Sequence, residues 1–140
     1  MKVVLDASVI VAAVATKNRH SASRLVIQAA ALGAFDLVVT DEIEAEYRDA
    51  VERDKVKRAA PRLDRLAFVD AIVETAERVE VTAEVRVVAG DPKDDKYVAA
   101  AVAAPAQYVV SLDRRHLVAL GTHEGVRFVT PGDFLAVLRR

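Results

Sequence analysis

Two short apolar runs of the chain each end at an aspartate. The first run covers residues 2–5 and stops at Asp6, and the second covers residues 108–112 and stops at Asp113. Runs of Val and Leu without polar alternation are typical of strands that are buried on both faces. If the two strands are parallel in one sheet, both carboxylates emerge at its carboxyl edge, where open α/β sheets bind their ligands.

Three further acids are candidates for the same site. Asp94 and Asp95 stand at the start of a predicted helix, and chain order alone does not bring that helix start to the carboxyl edge. Glu46 lies about one and a half turns into another predicted helix, so its carboxylate could face the edge. The sequence therefore predicts two acids at the edge and leaves the position of the other three open.

Carboxylates gathered in one place repel each other, and some of them take up protons unless a cation relieves the repulsion. Ligand sets made only of oxygen favour Mg²⁺ or Mn²⁺. The chain has no Cys, and its three His are at positions 20, 116 and 123, so a zinc site is less favoured. A magnesium site of this kind suits phosphodiester cleavage.

A simpler interpretation of these acids, without a metal, is also open. An Asp that follows a strand often does no more than cap the next helix. The chain has 21 acids, so some of them fall at strand ends by chance, and Glu46 alone reads as a solvated helix residue.

The acids depend for their positions on alternating strands and helices, which predict an α/β class with a mainly parallel sheet. Apolar runs predict strands at residues 2–5, 35–39, 108–112 and 126–129, and partial alternation over 79–89 suggests an edge strand. Helices are predicted at residues 9–15, from Ser21 or Ser23 to about 32, from Thr40 or Asp41 onward, and at 62–78, 96–104, 114–120 and 131–138. The charged residues 52–62 are interpreted as a loop or helix junction.

Apolar spacing also predicts which face of two of these helices is buried. Ile43, Tyr47, Ala50 and Val51 form the expected stripe of the third helix. In the helix at 62–78 the residues at helical spacing are Leu63, Leu66, Ala67, Asp70, Val73 and Ala76. Asp70 is the one charged residue in this otherwise apolar stripe.

Composition restricts the class of protein further. The chain has 140 residues, 53% of them hydrophobic, which is enough for one domain over residues 1–140 with a substantial core. Lys and Arg number 20 against 21 acids, so binding of nucleic acid requires a local basic patch. The N-terminal residues lack the apolar core of a signal peptide, and no run approaches a membrane span, so we expect a cytoplasmic protein without a membrane partner.

Four segments, taken in order, resemble PIN domains, and most closely the VapC-type toxins of toxin–antitoxin systems. They are residues 3–9, 40–47, 91–98 and 109–113, and the most specific pair is Asp-Pro-Lys-Asp-Asp followed by a strand ending in Ser-Leu-Asp. The resemblance implies a Rossmann-like three-layer α/β/α sandwich. It also implies Mg²⁺- or Mn²⁺-dependent cleavage of RNA, an antitoxin partner that covers the pocket, and a homodimer.

The resemblance also implies roles for individual residues. Carried over by position, the catalytic acids are Asp6, Glu46, Asp94 and Asp113. Of these, Asp6, Asp94 and Asp113 hold the metal, and Asp95 competes with its neighbour for the third place. Ser8 and Ser111 stand where many members have Asn and Thr, and each keeps an oxygen that can hold an acid or a water. The chain departs from the family pattern at Pro105 and at Leu112, which could narrow one side of the pocket.

Basic residues flank the motifs on both sides. Arg114 and Arg115 follow one acid, and Lys93 and Lys96 flank the acid pair, so all four are candidates for binding phosphates. They can equally serve only to balance the neighbouring acids.

Two other functions remain open at this stage. One is a protein of the same fold that binds RNA or a partner without cutting. The other is a phospho-accepting receiver domain, which needs a Lys after its last strand where this chain has residues 130–132, Thr-Pro-Gly. The five Gly are scattered, which argues against a nucleotide-binding glycine loop.

Overall fold

A computed structural model describes residues 1–82 and 91–140 of the chain. Within these residues the strands are β1 (Lys2–Leu5), β2 (Asp36–Val39), β3 (Glu77–Arg78), β4 (Tyr108–Val110), β5 (Thr122–His123) and β6 (Val126–Val129). The α-helices are α1 (Ala7–Ala15), α2 (Ala22–Ala31), α3 (Asp41–Ala50), α4 (Asp54–Lys57), α5 (Arg62–Glu74), α6 (Asp95–Ala103) and α7 (Pro131–Leu138). Short 3₁₀ turns cover Pro92–Asp94 and Val118–Leu120.

The strands form one sheet in the order β3-β2-β1-β4-β6-β5. Every pairing is parallel except that between β5 and β6. The three consecutive residues Val3, Val4 and Leu5 of β1 are all completely buried, and because neighbours on a strand point to opposite faces, both faces of the sheet are covered. The predicted α/β class with a mainly parallel sheet is confirmed.

Local sequence signals start and stop several helices as expected. The hydroxyls of Ser21, Thr40 and Thr130 accept hydrogen bonds from the backbone N–H three residues on, which caps α2, α3 and α7. Gly33 follows α2 with a φ of 76°, a conformation that favours glycine. The predicted stripe of α3 is fully buried.

The predicted buried face over 62–78 is only partly right: Val73 and Ala76 pack against the core, but Leu63 does not. Leu63 is 79% exposed, and the residues that α5 buries are instead Arg65, Val69 and Ile72. The guanidinium of Arg65 donates hydrogen bonds to the carbonyl oxygens of Val51 (2.8 Å) and Ala60 (3.0 Å), beyond the end of α3. At this position of the helix an arginine with satisfied hydrogen bonds, and not a leucine, faces the interior.

Other differences are local. The charged stretch at 52–62 contains the short helix α4, and the predicted helix at 114–120 is reduced to a 3₁₀ turn at Val118–Leu120. The described edge strand is β3, while most of the predicted extended stretch at 79–89 lies outside the described residues. Among the described helices, none is long and apolar enough to cross a membrane.

Candidate metal centre

The strand order places the site at a topological switch point. From β1 the chain adds β2 and β3 on one side, and β4 then returns to the other side of β1. At such a point the connections leave in opposite directions and open a crevice beyond the carboxyl ends of the strands. Asp6 directly follows β1, and Asp113 comes three residues after the end of β4, so both lie beside this crevice.

Asp6 is the most buried of these acids, with 6% of its surface exposed. Its Oδ2 accepts hydrogen bonds from the hydroxyls of Ser8 (2.7 Å) and Ser111 (2.6 Å). The same hydroxyl oxygens accept from backbone N–H groups after β4, Ser8 from Leu112 and Ser111 from Asp113. The two serines therefore fix Asp6 and bind the end of β1 to the loop after β4.

Two buried tyrosines form hydrogen bonds with the backbone of the turn between β1 and α1. The hydroxyl of Tyr47 donates to the carbonyl oxygen of Leu5, and the hydroxyl of Tyr97 accepts from the N–H of Ala7 at 3.2 Å. Burial, and after it the charge of Asp6, raises the pKa of both phenols far above its ordinary value. Both tyrosines therefore stay protonated and act as neutral hydrogen-bonding supports.

Asp94 reaches the cluster from the 3₁₀ turn before α6. Burial, together with the charges of Asp6, Asp91 and Asp113, raises the pKa of Asp94 to about 7. Its Oδ2 is buried and has no hydrogen-bond partner among the described residues. A buried carboxylate oxygen left without a partner is costly, so this oxygen is suited to a ligand that the chain itself does not supply.

Asp113 has a different environment. Burial works against its charge, but the backbone N–H and the ring of His116 and the backbone N–H of Arg115 hydrogen-bond to it, and the pKa of Asp113 is lowered. Its Oδ1 accepts from the N–H of Arg115 and His116 at 3.1 Å, and its Oδ2 lies 3.1 Å from His116 Nδ1. Over the pH range between their two pKa values, Asp113 is therefore ionised while Asp94 keeps its proton.

Glu46 faces the same cleft from α3. The guanidinium of Arg53 donates to its Oε1 at 3.0 Å, and Lys96 Nζ lies 3.9 Å from its Oε2. Arg53 follows Glu46 by seven residues, about two helical turns, and also lies 3.7 Å from Asp49. The two cations hold the Glu46 carboxylate at the wall of the cleft.

These groups line a cleft of about 770 Å³. The structure brings Asp6, Glu46, Asp94, Asp113 and Ser8 to it, together with Leu112, and the lining residues not singled out for the site from the sequence include Asp91 and Arg53. Of the four predicted phosphate-binding residues, Lys93 lines the cleft and Lys96 contacts Glu46. Within the described chain, Arg114, Arg115 and Asp95 are not among the residues that line it.

Three residues at the site were missed by reasoning from the sequence. Asp91 caps the 3₁₀ turn by accepting from the N–H of Lys93 and also lines the cleft. His116 contacts Asp113, and Arg53 contacts Glu46. Spacing offered a weak signal for the last two, since His116 is three residues after Asp113 and Arg53 is two helical turns after Glu46.

A divalent cation fits this arrangement of residues. The donors are carboxylate oxygens, one of them buried without a partner among the described residues, and burial together with their mutual repulsion raises the pKa of Asp94 to about 7. A cation would satisfy the unpartnered oxygen and relieve the repulsion at once.

Fold and site together define an α/β protein with an acidic cleft at the switch point of a mainly parallel sheet. A family model described as PIN domain matches residues 2–115, and the chain belongs to this family. The family resemblance inferred from the four motifs is thus confirmed.

A solved structure shares the fold at low sequence identity. It is described as the crystal structure of VapBC2 from Rickettsia felis bound to a DNA fragment from their promoter. The alignment has a TM-score of 0.59 and 12% identity, and it covers 93% of this chain and 98% of the other. No curated protein sequence matches the chain.

Proposed function

We propose that the protein is a Mg²⁺- or Mn²⁺-dependent endoribonuclease of the PIN type and the toxin of a toxin–antitoxin pair. The observation that carries the proposal is the convergence of Asp6, Asp94 and Asp113 at the switch point, with Asp94 Oδ2 buried and unpartnered among the described residues. Family membership supports it, because the site belongs to a PIN domain.

In this proposal Asp6, Asp94 and Asp113 hold the cation, and Ser8 and Ser111 keep Asp6 in place. When bound, the cation lowers the pKa of water and stabilises negative charge on the phosphate group. Asp94 has to give up its proton to take part, and its pKa near 7 makes this step easy at neutral pH.

Glu46 orients the attacking water and takes its proton. The water oxygen forms a bond to phosphorus in line with the 3′ oxygen, the bond from phosphorus to that oxygen breaks, and the leaving oxygen takes up a proton. The products are a 5′-phosphate and a 3′-hydroxyl. Lys96 and Arg53 hold Glu46 at the wall of the cleft.

The test is cleavage of a generic single-stranded RNA after removal of bound metal with EDTA. We expect cutting to return with Mg²⁺ or Mn²⁺ and to be lost in Asp113→Asn, which keeps the size of the side chain and removes its charge. Asp64→Asn, an exposed acid in the first turn of α5, is the control and should cut normally.

Each alternative outcome has a distinct meaning. Cutting that persists in Asp113→Asn points to a contaminant or to a different site. An intact protein that cuts none of a panel of RNAs with either metal contradicts the nuclease proposal, and it favours a PIN-fold protein that binds RNA or a partner without cleaving.

Arg53 is expected to bind a phosphate of the RNA. It lines the cleft, its side chain is 56% exposed, and its planar guanidinium can hold Glu46 and a phosphate oxygen together. In Arg53→Gln we expect a several-fold rise in KM and a decrease of about one in the slope of log affinity against log salt. Arg58→Gln, at the exposed end of α4, should leave both unchanged.

The kinetic parameters separate two roles for Arg53. A fall in kcat with KM and the salt slope unchanged would show that Arg53 only positions Glu46, and would contradict phosphate binding.

The partners and location follow from the same proposal. We propose one nuclease domain over residues 1–140, acting on RNA in the cytoplasm without a membrane, as a homodimer held inactive by a cognate antitoxin. The structural similarity to VapBC2 supports a partner of this kind, and an apolar groove of about 90 Å³ between α2 and α5 offers a surface for protein contact. Ile27, Phe68 and Ile72 are among its lining residues.

A further inference from the structure

One group of potential metal ligands in the described chain includes a nitrogen donor. Asp91, Asp94 and His116 each offer one ligand atom, and these atoms all lie within 4.8 Å of one another. Asp91 precedes the 3₁₀ turn, Asp94 ends it, and His116 belongs to the segment after β4, so the fold brings them together from two parts of the chain. All three side chains are half-buried.

Asp94 is common to this group and to the acids around Asp6. The charges of Asp6, Asp91 and Asp113 all raise the pKa of Asp94, so Asp94 lies close to the acids of both groups. Its buried Oδ2 has no hydrogen-bond partner in the described chain, whereas Asp6 Oδ2 already accepts from two hydroxyls. Asp94 therefore has an oxygen available on which a cation can bind.

A neighbouring carboxylate fixes the ring of His116. Asp113 engages one ring nitrogen, Nδ1, at 3.1 Å, and it also accepts from the backbone N–H of His116. Histidines that bind metals are commonly fixed by a carboxylate in this way, which sets both the tautomer and the direction of the ring. His116 is thus held in place, and its position does not depend on a mobile side chain.

We propose that Asp91, Asp94 and His116 form a cation position within the cleft that selects Mn²⁺ or a similar transition ion over Mg²⁺. Magnesium binds oxygen ligands almost exclusively, and an imidazole nitrogen suits the later transition ions. Manganese also favours oxygen ligands, but as a transition ion it accepts an imidazole nitrogen more readily than magnesium does. The inference rests on the proposed metal site: this position shares Asp94 with it and adds a nitrogen donor that the three aspartates lack.

Binding of Mn²⁺ alone, without RNA, tests this directly. In the intact protein we expect electron spin-echo spectra of bound Mn²⁺ to show coupling to an imidazole ¹⁴N. In His116→Ala the coupling should vanish and the affinity for Mn²⁺ should fall. The affinity for Mg²⁺, measured by calorimetry, should change much less.

Two further variants separate ligation from positioning. His116→Asn keeps an N–H donor for Asp113 but removes the imidazole, so it should lose the ¹⁴N coupling as His116→Ala does. Asp91→Asn keeps the cap of the 3₁₀ turn and removes a charged ligand, so it should weaken Mn²⁺ binding while retaining the coupling. His20→Ala, an exposed histidine far along the chain from the site, should have no effect.

The opposing results are equally definite. Bound Mn²⁺ without ¹⁴N coupling in the intact protein, or an equal loss of Mg²⁺ and Mn²⁺ affinity in His116→Ala, would overturn the assignment and leave His116 as a support for Asp113. Because the readout is metal binding, a protein that binds Mn²⁺ through His116 but cuts no RNA would contradict the nuclease proposal and not this one.

Discussion

Asp6→Asn is expected to abolish metal-dependent RNA cleavage, with a loss of at least about 100-fold, and at the same time to stabilise the metal-free protein. Asp6 is almost fully buried next to Asp94 and Asp113, and without a cation its charge opposes theirs. Asn keeps the shape and an oxygen for the hydroxyls of Ser8 and Ser111, but it removes the repulsion together with a proposed metal ligand.

The two effects are measured separately, as the initial rate of RNA cleavage with Mn²⁺ and as the Tm in EDTA. A rise in Tm of a few degrees together with loss of cleavage would mean that the repulsion between the acids lowers the stability of the protein and that the same acids are needed for cleavage. Asp64→Asn should leave the rate unchanged and should lower the Tm slightly, because a negative charge in the first turn of α5 stabilises the helix. A variant that cuts at the normal rate would remove Asp6 from the site, and a marked fall in Tm would mean that folding needs its charge.

The second large effect is a dependence of stability on pH that comes from Asp94. Its pKa is about 7 in the folded protein against an ordinary value of 3.8. Below pH 3.8 the carboxyl is protonated in both the folded and the unfolded protein, so it does not change the free energy of unfolding. As the pH rises from about 4 to 7, the unfolded chain loses the proton while the folded protein retains it, so stability falls across this window and levels off above it.

We expect a loss of about 1–2 kcal/mol between pH 4 and 8 in EDTA, since Asp94 is partly open to solvent and the charges are screened. The free energy of unfolding, from urea titrations at several pH values, provides the measurement. Asp94→Asn should flatten the profile over this window. The lowered pKa of Asp113 acts in the opposite sense, and its window lies below pH 3.8, so the two effects do not overlap.

A divalent cation should reverse the loss at high pH. Protons compete with the cation for Asp94, so metal affinity should rise as the pH passes 7. At a concentration 100 times its Kd, the cation adds about 2.7 kcal/mol of stability. A profile in EDTA that does not fall between pH 4 and 8, or one that Asp94→Asn leaves unchanged, would show that this carboxyl is not the buried, repelled group described above.

The sequence by itself determined most elements of the fold and the main acids of the cleft. Apolar runs defined β1 and β4, hydroxyl caps started α2, α3 and α7, and the ordered motifs identified the PIN family. These features are local: a run of Val and Leu or a capping Thr acts through neighbours within a few residues. Asp6, followed at once by a helix after a buried strand, was predictable for the same reason.

Tertiary structure decided what surrounds each acid. The strand order places β4 beside β1, and the 3₁₀ turn before α6 brings Asp94 to the same crevice, which no periodicity in the chain encodes. Arg53 and His116 meet their partners only because of how their segments pack. The buried face of α5 illustrates the same limit, since hydrogen bonds from Arg65 to the segment after α3 outweigh the apolar repeat that predicted a buried Leu63. Contacts between distant segments set these choices, and their energies depend on geometry that the sequence pattern does not record.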